Sequence, residues 1–155
     1  MAHSEKGIQI YEMFKTHLDA HDISYKADEE DLMITLTVNG EDLPQPTVIR
    51  VLDDRNVVQI VSPIPCTIPE EKRLDAAVAV AVANRGMVNG CFEYDMGDGT
   101  ILFRVAQSFA GTDFSDELIR YMLTIVFFTT DKFNDKFFML AKGMMSLEDF
   151  LQKEG

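Results

Sequence analysis

The sequence predicts an α+β fold, an antiparallel β-sheet packed with helices in the order α-β(3-4)-α-β-β-α(-α). Three observations predict it. In residues 32–38, Leu32, Ile34, Leu36 and Val38 alternate with Met33, Thr35 and Thr37, the period of a half-buried strand. Residues 115–142 carry apolar side chains at helical spacing. Strand-like and helix-like stretches come in runs without strict alternation, which favours α+β over a doubly wound sheet.

The first helix is expected from Ser4 to about Ala20. Ser4 is a suitable cap, and Ile8, Tyr11, Phe14 (or Ile10) and Leu18 fall three or four apart. Residues 23–27 read as a short strand and residues 28–31 as an acidic turn. The alternating strand follows and ends at Asn39-Gly40. Thr47–Leu52 and Val57–Val61 are β-branched strands on either side of an Asp-Asp-Arg-Asn turn. A meander of three or four antiparallel strands is the economical topology. Pro63, Pro65 and Pro69 are expected to stop it, because proline has no N–H for a ladder.

Thr67-x-x-Glu70 has the form of a capping box for a second helix at roughly residues 70–85, closed near Gly86. Leu74, Ala77, Val78, Ala81 and Val82 make one face of it, while Ala76, Ala79, Val80 and Ala83 leave the other apolar too. Such a helix could lie between the sheet and a second subunit. In the next segment Phe92, Tyr94 and Met96 alternate with Cys91, Glu93 and Asp95, while Ile101, Phe103, Val105 and Gln107 alternate with Leu102, Arg104 and Ala106. Gly97-Asp98-Gly99 between them suits a tight hairpin.

The long helix opens at Ser115 with Asp116 and Glu117 in its first turn, where carboxylates favour the positive end of the helix dipole. Its stripe is Ile119, Met122, Val126, Phe133, Phe137 and Leu140; further apolar faces up to Phe128 imply cover on more than one side. Its uninterrupted apolar run is too short for a bilayer, which needs roughly twenty residues. Ser146 is expected to cap a short last helix.

With 155 residues, 46% of them hydrophobic and eleven Phe, the chain is expected to form one domain, residues 1–155, with a real core. A formal charge of -12 repels phosphate backbones and argues against nucleic acid as a partner. Cys66 and Cys91 stand alone with no CxxC spacing, which suits a reducing compartment. The N-terminal residues lack a signal-peptide pattern, so a cytoplasmic location is expected.

The second half of the chain resembles the YbjN family, whose members share the fold of type III secretion chaperones. The features that carry the likeness are Asn84 at the end of the second helix, Gly90-x-Phe92, Asp98-Gly99, Phe103 and the Ser115 helix start. The resemblance implies an α/β sandwich that often dimerises and has no recognised catalytic residues. Secretion chaperones bind effector segments as dimers, and by analogy of fold a client is implied here.

Chemistry is sparse. His17 and His21, four apart, make only half of a metal site, and no HExxH motif completes it. Asp95-Met96-Gly97-Asp98-Gly99 lacks the calcium-loop ligands at its third, fifth and twelfth positions. There is no Walker loop, GxGxxG or GxSxG.

The expected function is therefore a non-enzymatic protein- or peptide-binding homodimer, with no catalytic residue, cofactor, metal, nucleic acid or membrane. Leu74, Val78, Val80 and Val82 are the expected interface, with Phe127 and Phe128 as the alternative surface. On that reading Val80→Glu splits the dimer. A small-ligand or signal-sensing regulatory domain is the alternative, requiring an apolar pocket between sheet and long helix.

Overall fold

The computed structural model describes residues 2–154. Helix α1 (Glu5–Ala20) starts where the Ser4 hydroxyl accepts the Gly7 N–H at 3.0 Å. Ser4 in turn donates its own N–H to Asp53 at 2.6 Å, so a carboxylate from between two strands fixes where the helix begins. The buried stripe is Ile10, Tyr11, Phe14 and Leu18. Ile8 is exposed, so Ile10 takes the place at its start.

Six strands form one antiparallel sheet: β1 (Lys26–Asp28), β2 (Met33–Asn39), β3 (Pro44–Leu52), β4 (Val57–Thr67), β5 (Cys91–Asp95) and β6 (Thr100–Ser108). Their order is β1-β2-β3-β4-β6-β5. The first four are the expected meander. The hairpin joins it through β6, whose Val105 lies opposite Ile60 of β4.

The prolines do not stop the sheet where the sequence suggests. β3 begins at Pro44, and β4 runs through Pro63 and Pro65 to Thr67. What ends instead is the ladder between them, at Val48 opposite Val61. Continuing that register would set Pro46 against Pro63 and Pro44 against Pro65, four residues with no N–H to give. Beyond this point each strand is held from its other side, β3 by β2 and β4 by β6. The Ser62 hydroxyl donates to Pro46 O at 2.9 Å, one hydrogen bond across an otherwise unzipped seam.

Helix α2 (Arg73–Asn84) starts later than the capping-box pattern implies. Thr67 is the last residue of β4, opposite Thr100, and a single 3-10 turn, Glu70–Lys72, intervenes. The helix is anchored by Arg73, whose guanidinium donates to Ile68 O, Met96 O and Gly97 O at 3.0–3.3 Å. At its other end Asn84 bonds the backbone of Phe92.

Helix α3 (Asp116–Ala141) spans about 39 Å at 1.5 Å per residue and crosses the sheet over β4 and β6. Helix α4 (Leu147–Glu154) is capped by Ser146 and packs on α2 and α3. Helices α1, α2 and α3 cover the sheet face bearing Ile34, Ile49, Val58, Ile60, Phe103 and Val105. Phe92 is the hub of that core, with ring centroids 5.1 Å from Phe103, 5.4 Å from Phe133 and 5.1 Å from Phe137. The opposite sheet face carries no helix among the described residues. On it Glu93 of β5 and Arg104 of β6 form an ion pair.

Candidate functional site

The groups with catalytic potential are occupied or dispersed. His17 and His21 stack face to face, ring centroids 4.3 Å apart, with His21 Nδ1 2.9 Å from His17 O. Partial burial and the neighbouring His21 lower the His17 pKa, a setting that disfavours a second positive charge. No cluster of three metal-ligating side chains occurs among the described residues. Burial pushes the half-buried Cys66 thiol up, away from the thiolate form, and Cys91 stands exposed on the open sheet face. The Asp95–Gly99 segment is a turn closed on itself: Asp95 accepts from Gly97 N at 2.7 Å, and Asp98 from Thr100 N at 2.9 Å.

Near α1, Lys15 bridges to Glu29 at 2.7 Å, and that bond raises its pKa. Burial, with Glu29 close by, pushes the Tyr11 phenol up to about 12. Both are structural effects: the lysine and the phenol stay protonated at neutral pH.

Surfaces offer more. The residues expected at an interface divide by helix geometry. Leu74 and Val78, 75% and 45% exposed, lie one turn apart on the outer side of α2 and lead on to exposed Ala81. Val82 is half-buried beside Phe133 and Met87. Val80 is only 7% exposed, because it shares the inward face with Ala76, Ala79 and Ala83. It cannot belong to an exposed interface in this fold. Only 100° separates successive helical residues, so alternate valines fall on different sides.

On α3, Phe128 is 76% exposed, while Phe127 is half-buried against the core. The two Phe side chains, together with Val38, Gly40, Glu41, Gln45 and Asp131, line a cleft of about 350 Å³ beside the β2–β3 turn. There Asp131 accepts the Glu41 N–H at 2.8 Å. Gly40, Gln45 and Asp131 carry no sequence signal that joins them, since they meet across some ninety residues of chain. A wider groove of about 630 Å³ lies over the proline seam, between Tyr25, Thr35–Thr37 and Pro46–Val48. It sits on the helix-free side. No helix among the described residues is long and apolar enough to cross a membrane.

Comparison with known proteins accords with this architecture. Three solved structures share the fold. YbjN from E. coli matches at 12% identity over 81% of this chain and 88% of that one, with a TM-score of 0.59. A chain of the ExsC-ExsE complex matches at 9% identity, over 85% and 96%, with a TM-score of 0.59. A chain of the HopA1-SchA chaperone-effector complex matches at 8% identity, over 83% and 94%, with a TM-score of 0.54. At such identities the likeness is one of fold, the α+β architecture of type III secretion chaperones. No curated protein sequence matches. The sequence model of YbjN, described as "Putative bacterial sensory transduction regulator", spans residues 11–139, from the middle of α1 almost to the end of α3. Fold, element order and family model thus agree over most of the chain, and this protein belongs to the YbjN family.

Proposed function

We propose that this protein is a non-enzymatic, cytoplasmic binding module that pairs with a second copy through α2 and holds a protein or peptide client. The observation that carries the proposal is the outer side of α2. Leu74 and Val78 are left in solvent on a helix whose inner side is fully packed. The small Ala77 between them and the exposed Ala81 beyond Val78 let a second helix approach closely. Met144, also exposed, follows Gly143, which lies beside Lys72 at the start of α2. Contiguous apolar surface of this kind marks association sites. The partner-bound neighbours of similar fold lend support by analogy. The sensing alternative needs a chamber between sheet and α3, and there Phe92, Phe103, Phe133 and Phe137 pack ring on ring.

Light scattering tests the pairing. The expected mass is about 35 kDa, twice the 17.5 kDa chain, and Val78→Glu should return it to the monomer value. A monomer at every concentration would overturn the proposal. Val80→Glu cannot serve as the test, because a carboxylate at that buried position threatens the fold itself.

A further inference from the structure

We infer that the interior between the middle of α3 and the proline seam is a hydration site, in which ordered water bridges the side chains of Gln45, Thr130 and Asn134. The buried polar side chains among the described residues are these three with Thr47 and Ser62, none more than 2% exposed. The fold brings all five to one place. Thr47 of β3 stands opposite Leu36, and Ser62 of β4 opposite Phe103, so the two flank the gap where the β3–β4 ladder has opened. Both share the inward face of Ile49 and Ile60.

Helix α3 fixes the rest. On one side its Phe133 and Phe137 rest on Phe92. On the other, its Asp131 and the Gln45 amide both border Gly40. At 3.6 residues per turn, Thr130 and Asn134 occupy the buried sector of the helix between those two sides, above the gap.

Thr47 and Ser62 are satisfied within the sheet, donating to Gln45 O at 3.3 Å and Pro46 O at 2.9 Å. The other three are not. Gln45 Oε1, Thr130 Oγ1 and both amide atoms of Asn134 are buried with no hydrogen-bond partner among the described residues. Thr130 does not turn back to its own helix, as a helical threonine can, and it does not bond Asn134 one turn on. Nor does the seam offer a backbone donor at its prolines, since Pro44, Pro46, Pro63 and Pro65 bring carbonyls and no N–H. Water both donates and accepts. A buried water makes about three hydrogen bonds to polar groups that lack other partners, whereas apolar cavities stay dry. Four such atoms gathered at one place give it those partners.

The inference is independent of whether α2 pairs or a client binds. Water-selective NMR on the isotope-labelled full chain tests it. The side-chain amide protons of Asn134 should show cross-peaks to the water resonance with NOE and ROE of opposite sign, the mark of a molecule held far longer than surface water. Thr130→Val removes the hydroxyl while nearly keeping the shape of the side chain. In that variant the Asn134 cross-peaks should remain, because the two amides still hold water. Their disappearance would trace them to exchange of the Thr130 hydroxyl proton and overturn the assignment. So would equal signs in the two experiments, or no cross-peak at all, which would mean that the side chains close directly on one another. Unaltered signals from the Phe92 core show that the variant is folded.

Discussion

Asn84 clasps a single residue of the neighbouring strand: its Oδ1 accepts the Phe92 N–H at 2.7 Å and its Nδ2 donates to Phe92 O at 3.0 Å. One side-chain amide thereby does for edge strand β5 what a seventh strand would do. It also locks the end of α2 to the residue at the hub of the aromatic core.

Asn84→Ala removes both bonds and leaves the Phe92 backbone part-buried and unpaired. The expected loss is about 2 kcal/mol, read from the urea midpoint. Asn84→Asp keeps the acceptor but turns a carboxylate toward a carbonyl, and should fare no better. A change below about 0.5 kcal/mol in the alanine variant would mean that water replaces the amide without cost.

Gly99 and Gly86 make a matched pair. Both have positive φ, +78° and +80°. A Cβ on Gly99 would meet the backbone of Ile68, colliding with its carbonyl oxygen, whereas nothing lies within 4 Å of one on Gly86. Gly86→Ala should therefore cost only the left-handed strain, about 1 kcal/mol. Gly99→Ala should cost distinctly more, because the Ile68 N–H to Gly99 O bond at 2.8 Å must also give way. Equal melting temperatures for the two variants would refute the assigned contact.

The stacked histidines predict a pH dependence. Burial and His21 depress the folded-state pKa of His17, with Asp116 opposing and Arg120 reinforcing the effect from α3. The folded state then binds fewer protons than the unfolded one. The stability His17 contributes is full above the unfolded pKa of about 6.5 and is lost as pH falls from there through the lowered folded value. Urea midpoints measured between neutral and mildly acid pH should decline less steeply in His17→Gln. Identical slopes would show that His17 is not responsible.

Much of this architecture is readable in the residues, and the departures have physical causes. Period-two patterning placed β2, β5 and β6, and Ser4, Ser115 and Ser146 each cap a helix as a hydroxyl at that position should. The prolines misled, because a missing N–H matters only on the side where a partner strand sits, and local sequence does not say which side that is. Thr67 matched a capping box, yet strand pairing with Thr100 claimed it first. Val80 resembled its neighbours in composition and differed only in the direction in which its helix turned it. Gln45 stands between two prolines, and its burial depends on α3, more than eighty residues onward.

The facing prolines have a consequence for the life of the protein at high concentration. Where the β3–β4 ladder opens, bare strand flanks would ordinarily template a strand from another molecule and seed fibrous aggregates. Here an invading chain would find Pro44, Pro46, Pro63 and Pro65 along the gap, four nitrogens unable to donate to it. A sheet can thus stay unzipped at one corner, accessible to side chains, while refusing the backbone pairing by which polymers grow.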